Sequence, residues 1–431
     1  MDIRWTWLLC AMALAVPSWG QEEPKPWKLS GFGTLGLAWN NNDTAGFRRD
    51  LSQPEGTTRK VDGRLDSRLG LQFNAHFNDS LQFNAQVVSK YQYDHTFKPE
   101  VTWLFLGWNP NPDLLVRVGR VGFDLFMDSD SRNIGYSYLW ARPPVEYFGG
   151  ITFSHLDGID IADDISIGDS STLRLKAFAG FTAERLPFTQ NESMNLTGGK
   201  LGGLVAELIS GSWRGRLGYG VLRTRHDFPA PVTDLQAGFN QFGDMLHDPG
   251  LNKTADDMRF SERTLRFSTA SLIYEEGALQ TQAALGHFDD HLLMAQNSWM
   301  GFLSCGYRFG QVVPYAVWSR GVSQQPQPYF GALPYLAQDP NQPPQVSGAA
   351  GQLVLGAQRF ANSTHLNRYT LTAGTRWDLA PKASLKFQVD RIRSNNSPGL
   401  WLLPDPPSPL TKLDTVDGWS TVLSAVLDFV F

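Results

Sequence analysis

Cations repeated at even spacing are the first residues of this chain that could do chemistry. Arg64 and Arg68, Arg174 and the neighbouring Lys176, and Arg214 and Arg216 stand two or four positions apart, with Arg117 and Arg266 in similar alternating surroundings. In an extended chain that spacing places side chains on one face. Guanidinium groups arrayed in this way pair with carboxylates or phosphates, or set a positive field felt over a Debye length of about 8 Å at physiological salt. A second group, Asp124, Asp128, Asp130, Arg132, Arg142 and Glu146, falls within residues 121–156, together with Trp140, Pro143 and Pro144. Acids and cations facing each other across a gap would do electrostatic work and make no bonds.

Other candidate motifs carry less. Gly31-Phe32-Gly33-Thr34-Leu35-Gly36 has the glycine spacing of a dinucleotide loop, but no helix follows and the glycines lie in an alternating strand, where they are expected to let the chain bend. His287, Asp289, Asp290 and His291 lack a helix to bring both imidazoles to one face, and the Asp124, Asp128 and Asp130 group lacks the glycine and downstream glutamate of a calcium loop. No serine, histidine and carboxylate grouping has a motif. The expectation is therefore no catalytic residue, no metal and no cofactor.

The elements that position the charges are strands. Along residues 64–77 the odd positions Leu65, Leu69, Leu71, Phe73, Ala75 and Phe77 are apolar, while Arg64, Asp66, Arg68, Gln72, Asn74 and His76 fill the even ones. After a turn at 78–80 the pattern resumes, which reads as a hairpin. The same period gives strands at about 27–40, 64–77, 81–91, 101–108, 114–120, 157–167, 172–183, 200–209, 213–223, 264–274, 278–288, 298–309, 312–320, 367–378, 383–393 and 419–431. Asp163, on an apolar parity, predicts a bulge or shifted register in the sixth. Connections alternate between short turns and longer loops, the largest at about 224–263, 321–366 and 394–418. Pro326, Pro328, Pro334, Pro340, Pro343 and Pro344 exclude the second of these from the sheet.

Residues 1–20 have a positive start at Arg4, an apolar run over 8–16 and a small-x-small site at Ser18-Trp19-Gly20, the pattern of a secretory signal peptide; Leu9 and the continuing apolar run argue against lipidation at Cys10. The remaining Cys305 is then without an intrachain partner. Although 42% of residues are hydrophobic, no later stretch reaches the roughly 18 consecutive apolar residues of a membrane helix. Strands can span a membrane only by closing. The fold class expected is therefore all-β: a transmembrane antiparallel β-barrel of about sixteen strands over residues 21–431, with one face to outer-membrane lipid. Trp39, Tyr91 and Trp419 would mark its outer aromatic girdle, and Trp27, Trp213, Phe309, Trp377 and Phe431 its inner one. The opposite parity lines a lumen, and it is basic: Arg64, Arg68, Lys90, Arg117, Arg174, Lys176, Arg214, Arg216, Arg266, Arg308, Arg320, Arg368, Arg376 and Lys386, against fewer wall acids such as Asp66, Asp160, Asp164, Asp378 and Asp390. A net charge of −5 gives no basis for a nucleic-acid partner.

With the signal, the strand number, the terminal Phe431, the Arg117-Val118-Gly119-Arg120 strand end and the long stretch after it, the chain resembles the Gram-negative general porin family. Pro144-x-Glu146-x-Phe148-Gly149-Gly150 is similar to a loosened form of a signature of its enteric members. The resemblance implies that the third loop folds inward as a constriction, with Asp124, Asp128, Asp130 and Glu146 opposite Arg64, Arg68 and Arg117, and that the protein is a homotrimer. The function expected is passive diffusion of small hydrophilic solutes and ions through the outer membrane of a Gram-negative bacterium, with mild anion preference. Two alternatives remain: a substrate-specific channel for organic acids, and a barrel enzyme or surface-binding protein working through its long loops.

Overall fold

A computed structural model describes residues 26–150, 152–188, 192–291, 293, 296–325, 327–399, 401 and 415–431. The signal peptide expected over residues 1–20 lies outside them with Cys10, as does Pro326. Sixteen strands close into one antiparallel barrel: β1 (Trp27–Asn40), β2 (Arg68–His76), β3 (Leu81–Lys90), β4 (Glu100–Trp108), β5 (Leu114–Gly122), β6 (His155–Ile167), β7 (Ser171–Phe181), β10 (Lys200–Ser210), β11 (Trp213–Arg223), β12 (Thr264–Glu276), β13 (Leu279–His291), β14 (Gln296–Tyr307), β15 (Val312–Ser323), β16 (Asn367–Ala380), β17 (Ala383–Ser394) and β18 (Gly418–Val430). The short strands β8 (Arg185–Pro187) and β9 (Ser193–Asn195) pair separately, as a ribbon in an outer loop. Closure runs from Phe32 opposite Val430 to Asn40 opposite Val422.

The seam explains the paired glycines. A Cβ on Gly31 would lie 2.2 Å from the Phe431 ring and one on Gly33 2.3 Å from that of Phe429. The closing aromatics lie against β1 because these positions have no side chain, which replaces the bending role expected for them. Gly211, Gly277 and Gly310 have φ of 54°, 59° and 61° and sit in the tight turns at one end of the barrel. These turns alternate with the long loops, as anticipated.

A belt of exposed apolar residues surrounds the barrel, including Leu35, Leu71, Leu106, Val118, Leu204, Leu217, Leu303 and Leu371. On a closed barrel this is the lipid-facing surface. Among the described residues no helix is long and apolar enough to cross a membrane. Trp27, Trp213, Phe309, Trp377, Trp419 and Phe431 are exposed at the ends of strands, as girdle residues should be, and exposed Cys305 shares the outward parity of Leu303 and Tyr307. Tyr91 is a correction. It is buried, with its ring under the Arg64 guanidinium at 4.9 Å. The expected bulge at Asp163 is also absent, since β6 and β7 pair without a shift from Asp157 opposite Phe181 to Ile167 opposite Ser171. Asp163 faces Leu114, the first residue of β5, so it lies near the interface and not at the hydrocarbon midplane.

Two of the three largest loops are helical, which the strand reading did not anticipate. Residues 224–263 hold α2 (Ala230–Leu246) and α3 (Pro249–Asp257), and residues 324–366 hold α4 (Leu333–Gln338) and α5 (Pro344–Asn362). The third loop contains the single turn α1 (Val145–Phe148). In residues 327–366 the prolines stay out of the sheet as expected, and several prolines of both loops stand in first helical turns, where a missing N–H costs nothing. Buried Val232, Phe239, Phe242 and Gly243 form one stripe of α2, and Ala350, Leu353, Ala357, Phe360 and Ala361 one stripe of α5. With Leu251, Met258 and Leu333 they make a separate apolar core among the outer loops. At the α2–α3 corner, His247 adopts φ 53° and the Asp248 side chain accepts from the Gly250 N–H at 3.0 Å. Asp248→Ala is expected to cost about 1 kcal/mol of α3 stability, read as faster amide exchange confined to that helix.

Candidate functional site

The third loop, described over residues 123–150 and 152–154, lies inside the barrel, held by an apolar core and by ion pairs. Phe123, Leu125, Phe126, Tyr138, Trp140 and Tyr147 from the loop meet Phe105, Phe178, Leu201, Val205, Leu222, Met300, Phe302, Tyr315 and Val317 from the wall. The rings meet edge to face, Phe123 on Phe178 at 5.6 Å and Trp140 on Phe302 at 5.5 Å. Polar ends are satisfied: the Trp140 indole donates to Ser304 Oγ at 2.7 Å, and the Tyr147 hydroxyl bonds to Thr269. The wall is therefore apolar where the loop leans on it.

Around that core, loop charges meet wall charges. Arg142 donates to both carboxylate oxygens of Asp66, at 3.0 and 2.5 Å, and to Ser424 at 3.0 Å; it lies 3.6 Å from Asp390 and stacks over Phe47 at 4.9 Å. Lys386 pairs with Asp428 at 2.9 Å and donates to the loop carbonyls of Gly135, Tyr138 and Trp140 at 2.7, 2.6 and 3.2 Å. Asp124 sits between Lys176 at 2.8 Å and Arg216 at 2.5 Å, and Arg216 also holds Glu207. Asp128 meets Arg214 at 2.8 Å. Glu146 meets Arg368 at 3.0 Å and accepts from Ser319 and Thr370 at 2.6 and 2.7 Å. The basic wall and the acidic loop form a neutralised, cross-linked interior, not two open rows.

The expected site residues therefore divide. Asp124, Asp128, Glu146, Arg142, Arg214 and Arg216 come together as described, and Arg132 donates to the Phe153 carbonyl. Asp130 is exposed. Arg117 faces inward but belongs to Asp160, at 2.6 Å, and Arg174 belongs to Asp164, at 2.7 Å. Arg68 faces inward at the start of β2, 3.5 Å from the Arg132 carbonyl. Arg64 is not on a strand: it lies in the first outer loop, bound to Asp62 and Glu55 at 2.7 and 2.6 Å.

Two further assignments are corrected. Arg266, opposite Val221 and 3.9 Å from Asp289, shares the parity of exposed Ser268, Ala270 and Leu272, so it points outward. Arg320 shares the outward parity of exposed Trp318 and lies over Tyr369 at 5.9 Å. In both strands apolar residues also point inward, at Leu265 and Phe267 and at Tyr315 and Val317, because the third loop packs there. Apolar parity then ceases to mark the lipid side. Among residues given no role, Asp428 was legible as an acid on the inward parity of the last strand, whereas nothing in the spacing pointed to the aromatic packing of the loop. His287 stacks on Trp299 with ring centres 4.3 Å apart.

Asp66 precedes β2 and anchors the loop. Burial alone would raise its carboxyl, but the Arg142 guanidinium, helped by Arg49 and Arg68, brings it down to about 2. A folded value below the unfolded one of about 3.9 contributes stability that is fully present above that pH and is lost as pH falls through the folded value. Amide protection of residues 139–143 is expected to hold from about pH 7 to 5 and to fall between about pH 4 and 2. A fall between pH 7 and 5 would contradict this assignment.

Comparison of the sequence with protein-family models and with curated proteins finds no match. Solved structures do match. Salmonella typhi OmpF, in complex with daunomycin, aligns over 94% of this chain and 97% of its own, with a TM-score of 0.54 and 11% identity. The anion-selective porin of Comamonas acidovorans aligns over 94% and 99%, with a TM-score of 0.51 and 11% identity. The fold is that of the porins. An in-vitro folded, trimeric form of OmpT, an outer membrane protein of Vibrio cholerae, aligns over 94% and 99%, with a TM-score of 0.51 and 12% identity. At such identities the likeness carries architecture and no residue roles, so the charge arrangement of this porin-fold barrel rests on its own geometry.

Proposed function

We propose that this protein resides in the outer membrane of a Gram-negative bacterium and lets small hydrophilic solutes and ions diffuse through it, without an enzymatic step. The observation that carries the reading is a lipid-belted, closed barrel whose third loop is tied across the interior to several wall strands. A loop so held narrows a passage reproducibly. Arg174, Arg214 and Arg308 keep partly exposed side chains around it, so a passing ion would meet charge. Because these cations also face Asp164, Asp128 and Asp378, the expected anion preference is mild. The reversal potential of purified protein in a planar bilayer under a salt gradient tests it. Cation preference would overturn the selectivity, and no conductance would overturn the channel.

One observation favours a channel specific for organic acids. Arg49, Arg68, Lys90 and Arg132 surround Asp50 in a polar pocket of about 30 Å³, enough for a carboxylate head. Saturable block by succinate, lost in Lys90→Gln, would support this reading over free diffusion. The homotrimer implied by the family resemblance is likewise proposed, and would be read from three-step closure in the same recordings.

A further inference from the structure

Where the third-loop core meets the core of the outer helices, the side chains do not close. A cavity of about 250 Å³ remains, lined by Phe123 and Phe126 of the loop and by Leu201, Leu222, Phe267 and Met300 of the wall. Phe153 and Leu265 pack against both cores, so the cavity lies on the joint between them. Protein interiors pack densely, with few voids larger than a water molecule. The space is open on one side and not sealed, so its preference rests on its apolar lining; a sealed apolar void of about 150 Å³ stays dry and admits benzene. Water would gain little here, because few lining groups can bond it. Glu146 borders the space, but its oxygens already bond Arg368, Ser319 and Thr370. Arg266 also borders it, yet its parity turns the guanidinium toward the outer surface.

We infer that this cavity is a binding site for a small uncharged apolar molecule, of the size of one or two fused aromatic rings. Its aromatic lining offers ring edges and faces, and no uncommitted inward cation is there to receive an acid head. The site is defined by packing alone, so it goes beyond the diffusion reading and does not depend on conduction.

The test uses the full mature barrel in phospholipid nanodiscs, with tritiated naphthalene in equilibrium dialysis against empty nanodiscs to subtract lipid partitioning. One naphthalene per chain above the lipid background is expected. Leu222→Trp, which fills the space, should reduce the excess at least tenfold, and 2-naphthoate should bind at least tenfold more weakly than naphthalene. Heat-modifiable gel mobility reports whether each variant forms the barrel, and Leu201→Phe serves if Leu222→Trp does not fold. No excess over empty nanodiscs, an excess unchanged by the filling substitution, or equal binding of naphthoate would each overturn the inference. Because conductance is not read, a barrel that fails to conduct but binds naphthalene separates this inference from the proposed function.

Discussion

Arg142→Ala is expected to release the third loop. The substitution leaves Asp66 as a buried carboxylate with its bidentate partner gone, and strips Asp390 and Ser424 of the same guanidinium. Arg142 and Asp66 are both almost wholly buried, and removal of one member of such a pair typically costs about 3–5 kcal/mol, because the remaining charge has lost its compensation. Arg49, at 3.0 Å from Asp66, recovers part of that. Since the pair ties the loop to the residue before β2, the loss should appear locally. Amide exchange over residues 139–143 should accelerate while the lipid-facing strands stay protected, and single-channel current should rise and flicker. Arg142→Lys keeps the charge but cannot span two oxygens in a fork, so an intermediate loss is expected. Unchanged exchange in Arg142→Ala would mean that the apolar core alone holds the loop.

Lys386→Met is expected to be nearly as damaging, and its cycle with Asp428 distinguishes ion pairing from carbonyl anchoring. The ammonium serves Asp428 and three loop carbonyls at once. Methionine keeps the volume but leaves Asp428 with only the Thr34 hydroxyl, at 2.6 Å. A loss of roughly 3–5 kcal/mol in denaturant-induced unfolding is expected for the single variant. Replacing both partners, Lys386→Met with Asp428→Leu, removes the orphaned charge, so much of that loss should return. It should not return fully, because the Trp140 carbonyl loses its donor and those of Gly135 and Tyr138 keep only the Tyr138 N–H and the Arg376 guanidinium. A double variant no better than Lys386→Met would show that carbonyl anchoring, and not the ion pair, holds the loop to β17.

The barrel itself was legible from alternation, because a strand between lipid and an interior must change polarity at every residue. All sixteen barrel strands fall where the two-residue period places them, and even the misread β2 differs chiefly in its start, at Arg68 and not Arg64. The short turns were legible for a related reason: glycine at positive φ is a local requirement, visible in the residue itself. The inward cations on β5, β7, β11, β16 and β17 were legible too, since their neighbours on the other parity meet lipid.

What alternation could not reveal is what fills the interior. Residues such as Leu201, Leu222, Phe302 and Val317 point inward because the third loop supplies an apolar partner, and a partner far away along the chain leaves no trace in local spacing. The same absence of local signal misplaced Arg266 and Arg320 and hid the stripes of α2 and α5, which bury into the outer-loop core and not into the sheet's regular pairing. Local polarity thus determined the cylinder, because lipid and water act on each residue separately. Only tertiary structure decided which charges cancel and where the loop lies, because pairing is a property of two distant residues brought to one place.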